Sequence, residues 1–194
     1  LKKYKKIDGL INSITYKDEN FYLPFEKNKL SSWERGLKHD LTVPFLVIKT
    51  FINVFKKQKT GSIINIASIY GILANDQSLY QNSKLNIVYT TNKKLNKVYS
   101  NGVYNASKAG LINFTKFLAA YYGKYNIRFN CISPGGIYHD NESKTFEKKY
   151  SKKTPLGRKA KIFEMNGAII FLLSESSSYV TGHNLVIDGG FSIW

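Results

Sequence analysis

Cysteine is nearly absent from this sequence. The one thiol, Cys131, cannot close a disulfide within the chain, and its place in the apolar segment 127–132 suits a small core residue in a reducing compartment. Methionine is as scarce: Met165 is the only one, and the sequence opens on Leu1, so the true start of the protein is expected to lie elsewhere. No run reaches the ~18 consecutive apolar residues a membrane helix needs, and no apolar stretch of signal-peptide length follows the basic opening LKKYKKIDGL. A soluble cytoplasmic protein is expected. No Gly-x-Gly occurs, and before residue 60 the only glycines are Gly9 and Gly36. These residues therefore lack the glycine turn that lets backbone N–H groups approach a pyrophosphate. No Pro/Gly/Ser linker and no internal repeat divides the chain, and 43% hydrophobic residues suffice for one core, so a single unit over 1–194 is expected.

Acidic residues are few as well: 13 Asp and Glu against 29 Lys and Arg give a formal charge of +16. Such an excess raises the question of nucleic acid. The distribution argues against it, because only Arg35, Arg128 and Arg158 are arginines and the lysines are scattered through every polar stretch. His39, His139 and His183 have no metal-ligand spacing, and no metal is expected.

What is present alternates between strand and helix. The apolar run IDGLINSI (7–14) predicts a buried strand, and Leu37, Leu41, Phe45, Ile48, Ile52 and Phe55 predict an amphipathic helix from Ser31 that Pro44 should kink. A second strand follows in SIINIAS, and residues 75–100 are polar and weakly periodic, which predicts a long loop. Leu111, Phe114 and Leu118 mark a helix from Tyr104 to about Tyr122. A third strand over 127–132 stops at Pro134, Gly135 and Gly136. A Lys-rich loop, a helix with the stripe Ala168 to Leu173 and a last strand LVID complete the chain. That order implies a parallel sheet with right-handed crossovers and a site at the C-terminal strand edges.

Ser68 ends the second strand, and Tyr104 and Lys108 are one turn apart on a helix face. A nearby ammonium favours tyrosinate, and a serine hydroxyl can hold a substrate oxygen beside it, so the three could move a proton to or from that oxygen. The spacing Tyr-x-x-x-Lys means little alone. With 14 Tyr and 26 Lys (29 minus three Arg), about two such pairs are expected by chance, and three occur: Tyr80/Lys84, Tyr89/Lys93 and Tyr104/Lys108. Only the last opens an amphipathic helix; the other two lie in the polar segment and are expected to be solvated.

From there on the sequence resembles a known family. YNASKAG, IRFNCISPGG, TPLGR and FLLSESSSYVTGHNLVIDGG, with GSIINIASIYG and IDGLINSI upstream, resemble the short-chain dehydrogenases/reductases in order along nearly the whole chain. The resemblance implies an α/β, Rossmann-like three-layer sandwich with a parallel sheet, lacking the first βαβαβ part. It implies an NAD(P)-dependent oxidoreductase that interconverts a secondary alcohol and a ketone. Tyr104 would be the general acid/base, Lys108 would lower its pKa and bind the nicotinamide ribose, and Ser68 would orient the substrate oxygen. Pro134, Gly135 and Ile137 would lie against the nicotinamide and Asn12 near the adenosine side. Helices 31–57 and 103–122 would pack against a partner subunit, which implies a homodimer or homotetramer.

The sequence departs from the family pattern in several places. The Asn-Asn-Ala-Gly turn is here Asn12-Ser13-Ile14-Thr15, and His139 stands where a Thr often meets the carboxamide. The family Asn that extends the proton relay through water aligns with Asp40, which accepts hydrogen bonds where an amide also donates. The interval from Ser68 to Tyr104 is longer than usual. Its insertion should lie over the substrate pocket, where its Asn, Gln, Ser and Tyr would suit a polar, sugar-like substrate or a surface-glycan precursor. Three family strands before Ile7 are missing from the sequence. The first visible strand should therefore be an exposed apolar edge, and the chain as given is expected to bind NAD or NADP weakly or not at all. The alternative is a non-catalytic remnant that pairs with an intact homologue.

Overall fold

A computed structural model describes residues 6–88 and 93–194. Four strands, β1 (Gly9–Asn12), β2 (Gly61–Ile66), β5 (Ile127–Pro134) and β6 (Asn184–Ile187), form one sheet in the order β1-β2-β5-β6, every pair parallel. Alternate side chains of the central strands face opposite layers. Ile63, Ile127 and Phe129 pack with Ile48, Ile52 and Phe55 of helix α2 (Val43–Gln58) and Leu118 of helix α3 (Gly102–Tyr122). Ile64 and Ile132 pack with Leu172 of helix α5 (Asn166–Leu173) on the other side. The expected three layers are present. Among the described residues β1 pairs with β2 alone, and Ile11 on it is 41% exposed.

The helix expected from Ser31 is not one kinked rod. Helix α1 (Leu30–Leu37) runs into a π-turn (Lys38–Thr42) and then into α2, with Pro44 near the start of α2. Pro44 has no N–H for the Asp40 carbonyl four residues back, and the turn widens so that the Val43 N–H bonds the Lys38 carbonyl. This wide turn holds Asp40. The Lys-rich loop expected after β5 contains a helix, α4 (Lys144–Lys153), anchored by the buried Tyr150 and by stacking of Tyr150 on Phe191 at 4.5 Å. Its apolar positions are too few to show a periodic stripe in the sequence.

The described residues of 75–100 form more structure than a long loop. Strands β3 (Leu85–Val88) and β4 (Lys93–Leu95) pair antiparallel, and a 3-10 turn covers Gln77–Leu79. The segment is tied down: Lys149 Nζ donates to the Ser78 and Gln81 carbonyls at 2.8 and 2.7 Å, Lys153 pairs with Asp76, and the Tyr99 N–H donates to the Tyr22 carbonyl at 3.0 Å. No described helix is long and apolar enough to cross a membrane.

A buried polar chain crosses the layer between sheet and α3. Asn12 Nδ2 donates to Asn65 Oδ1, Asn65 Nδ2 to Thr115 Oγ1, and Thr115 Oγ1 meets Cys131 Sγ at 3.1 Å. Burial pushes the Cys131 thiol up to about 11, with Thr115 and nearby lysines opposing. Thiol reagents act on the thiolate, so Cys131 is expected to be labelled in native protein only as fast as the protein opens, and at once in denaturant. Labelling kinetics with and without urea check this; native labelling at the rate of an exposed cysteine would contradict it.

Candidate active site

The C-terminal edges of β2 and β5 border one cavity of about 370 Å³. Ser68 enters it because β2 ends at Ile66 and the chain turns into a 3-10 turn (Ile69–Gly71) that Ser68 caps, its Oγ accepting from the Tyr70 N–H at 3.2 Å. That turn sits directly on α3. A Cβ at Gly71 would lie 2.8 Å from the carbonyl carbon of Lys108, so only glycine allows the approach that sets Ser68 beside Tyr104. Helix α3 starts where Asn101 caps the Val103 N–H at 2.9 Å, which puts Tyr104 in its first turn. The Tyr104 ring is held edge-on by Phe21 at 6.1 Å, with Lys17 Nζ 4.8 Å from its centroid.

Burial pushes the Tyr104 hydroxyl up to about 12; Ser68 opposes the rise and the Asp40 carboxylate adds to it. The resemblance led us to expect Lys108 to lower this pKa. Lys108 is 3% exposed, its Nζ is 5.5 Å from the Tyr104 ring centroid, and it donates to the carbonyls of Ile66 and Ile14 at 3.2 and 3.4 Å. The ammonium is thus spent on backbone oxygens at the strand ends. Burial lowers its own pKa, and Asp40 opposes that. Asp40 is 2% exposed; its Oδ2 accepts from Ser107 Oγ at 3.0 Å, while Oδ1 is buried without a hydrogen-bond partner.

Pro134, Gly135, Ile137 and His139 line the same cavity as Ser68 and Tyr104. Burial lowers the His139 pKa, with Glu142 opposing. Lys108 lies on α3 one turn after Tyr104, and Asp40 meets α3 through Ser107. Asn12 is not brought to the cavity wall: it is 3% exposed and its amide is committed to Asn65. Tyr80 is not solvated as expected from its polar surroundings; it lines the cavity, packs on Phe146 at 5.0 Å and has its pKa raised by burial. Of the third pair, Tyr89 lies outside the described residues.

Two family models match, short chain dehydrogenase over residues 1–95 and Enoyl-(Acyl carrier protein) reductase over residues 77–192. The chain belongs to the short-chain dehydrogenase/reductase family. Among characterised members of that family, it is 35% identical to D-arabinitol 2-dehydrogenase (ribulose-forming) of Candida albicans, over 95% of this chain and 60% of that protein. It is 32% identical to the 3-oxoacyl-(acyl-carrier-protein) reductase FabG of Aquifex aeolicus, over 96% of this chain and 67% of that protein. A crystal structure of a short chain dehydrogenase from Leptospira borgpetersenii with bound NAD+ superposes with a TM-score of 0.83 at 37% identity, covering 98% of this chain and 67% of that one. The chain thus spans 60% of the length of the arabinitol dehydrogenase it matches.

Against the family pattern the structure adds cavity residues with no signal in the sequence: Lys17, Tyr70, Asn75, Glu142, Tyr150 and Lys159. They come from loops and from α4, and no spacing rule connects them. Lys159 and Glu142 form a buried ion pair, and Tyr150 accepts from the Gly136 N–H at 2.6 Å, fixing the turn after β5. Tyr104 and the turn 134–137, which by the family pattern would meet a nicotinamide, line one cavity. The pyrophosphate side has no glycine turn among these 194 residues.

Proposed function

We propose that the chain carries the proton-transfer and substrate-binding part of an NAD(P)-dependent oxidoreductase that interconverts a secondary alcohol and a ketone. The observation that carries this reading is that Ser68 and Tyr104 border one cavity with the turn 134–137. Pro134, Gly135 and Ile137 would hold the nicotinamide, with Lys108 toward its ribose, and the nicotinamide would supply or accept the hydride. Ser68 holds the substrate oxygen. In reduction Tyr104 gives that oxygen its proton; in oxidation the tyrosinate takes it back. Burial lowers the Lys108 pKa, and the Asp40 carboxylate opposes that and so favours the ammonium.

The raised pKa sets a pH dependence. Tyr104 keeps its proton to about 12, so it is ready as an acid at neutral pH, and the tyrosinate fraction grows about tenfold per pH unit below that value. The kcat/KM for alcohol oxidation is therefore expected to climb from pH 7 to pH 10 without a plateau, while ketone reduction stays flat. Assays in both directions with NAD(H) and NADP(H), on a form of the protein that supplies the glycine turn, test the proposal; no reduction of any ketose or simple ketone with either cofactor would count against it.

The substrate is proposed to be polyhydroxylated. The polar side chains around the cavity and the likeness to an arabinitol dehydrogenase support a sugar or polyol. A homodimer or homotetramer through α2 and α3 belongs to the same proposal, supported by the exposed Phe45, Leu46, Phe117 and Tyr121 on those helices. A reading as a non-catalytic partner of an intact homologue draws on the same helix faces and on the missing glycine turn.

A further inference from the structure

Lys17 lines the same cavity as Ser68 and Tyr104 and is partly exposed. Its Nζ lies 4.8 Å from the centroid of the Tyr104 ring and 5.4 Å from that of Phe21. The proton transfer between Tyr104 and the substrate does not involve it. Its position has a local cause. The chain leaves β1 at Asn12, and the next residue after Lys17, Asp18, is pinned to α1 by Ser32 Oγ at 2.9 Å and by Arg35 at 2.7 Å. The lysine is thereby delivered to the cavity beside the tyrosine.

Burial works against its charge. It lowers the Lys17 pKa, with Asp40 and Glu142 opposing and Lys108 and Lys159 adding to the fall. Together with Lys17 these neighbours make three lysines to two carboxylates. Both carboxylates are engaged, Glu142 in its ion pair with Lys159 and Asp40 with Ser107. Lys108 and Lys159 are 3% and 7% exposed, so Lys17 is the partly exposed cation of the group. An ammonium has three donors, so it can serve a ligand along with a group of the protein.

A surplus of positive charge in a partly dried cavity is costly, and attraction to an anion is screened less there than in water. A neutral alcohol leaves that surplus in place. A carboxylate or phosphate on the substrate removes it. Nζ lies beside the ring that carries the Tyr104 hydroxyl, so a few carbon atoms bridge an anionic group at Lys17 and a reacting oxygen at Tyr104.

We propose that Lys17 is a specificity-determining residue that binds one negatively charged group, a carboxylate or a phosphate, on the substrate whose oxygen Ser68 and Tyr104 handle. The inference rests on the reading of the cavity as a secondary-alcohol site and adds the charge of the molecule it takes.

Ligand-observed NMR titration of the purified protein tests this with three probes of one carbon skeleton: neutral D-arabinitol, D-arabinonate and D-arabinitol 5-phosphate. At least one anion is expected to bind about tenfold more tightly than arabinitol, and the tighter of the two distinguishes a carboxylate from a phosphate. Lys17→Met, which keeps the length of the side chain and loses its charge, should weaken that anion about tenfold and leave arabinitol within about twofold. Lys17→Arg should retain most of the preference. Lys57, exposed on α2 and outside the cavity lining, provides the control: Lys57→Met should change no probe. Circular dichroism verifies that each variant is folded. The proposal is overturned if neither anion is preferred, if Lys17→Met affects arabinitol and the anions alike, or if Lys57→Met weakens the anions as much, which would mean diffuse attraction to a basic surface. In those cases the alcohol-site reading stands as long as Ser68→Ala and Tyr104→Phe weaken arabinitol. If they do not, or if no probe binds, that reading falls and the inference with it.

Discussion

Tyr104→Phe is expected to lower turnover by about 10²- to 10⁴-fold while leaving the fold intact, since a positioned acid/base contributes on that scale. The ring keeps its neighbours in the variant. Phe21 still meets it edge-on and Lys17 still lies over its face, because both contacts are to the aromatic ring and not to the hydroxyl. What disappears is the hydroxyl beside Ser68 that can give up a proton and take it back. Steady-state rates together with the melting temperature check both halves of the expectation. Turnover within twofold of the parent in a folded variant would mean that another group, for instance Tyr80 on the same cavity wall, moves the proton.

Phe129→Ala is expected to destabilise the protein by about 3–5 kcal/mol, a large part of the 5–15 kcal/mol that holds a domain together. Phe129 is fully buried on β5 and packs against Tyr122 at 5.8 Å and against the residues of α2 that also cover Ile63. The cavity it leaves is walled by a sheet on one side and two helices on the other, so it has little freedom to collapse. Urea unfolding followed by tryptophan fluorescence or circular dichroism measures the loss, and a change below about 1 kcal/mol would show that α2 and α3 move in to fill the gap. The site would feel a partial collapse, because β5 ends in the turn 134–137 that borders the cavity.

The difference between Tyr104 and Tyr80 shows how far local pattern reaches. Both carry a lysine four residues on, and the helical stripe Leu111, Phe114, Leu118 was enough to choose Tyr104 as the residue of an ordered element. The same pattern could say nothing of where Tyr80 went, because its segment has no period. The structure shows that segment fastened to α4 through Lys149 and Lys153 and its tyrosine turned into the cavity. Asp40 is a comparable case. Its alignment with the family Asn was readable, whereas the π-turn that buries it depends on Pro44 withholding a donor and on Ser107 arriving from α3.

The expectation for Lys108 shows the limit from another side. Sequence placed its charge one turn from Tyr104, and a one-turn separation suggests that the ammonium would draw the phenol down. In the folded chain the ammonium donates to the Ile14 and Ile66 carbonyls, and the largest influence on the tyrosine is its burial, which raises its pKa. Desolvation is a property of the whole surroundings and has no counterpart in spacing.

By itself the sequence determined the parallel α/β order, singled out Ser68, Tyr104 and Lys108 as candidates for proton transfer, and showed the absence of a glycine turn from these residues. All three are written in local periodicity and short motifs. Only the tertiary structure decided that Tyr70, Asn75 and Tyr80 share the cavity with Ser68, that Asn12 serves the interior, and that the Tyr104 proton is held so tightly. Those outcomes depend on which distant loops close over the strand ends and on how much water they exclude, and neither quantity is encoded at any fixed separation along the chain.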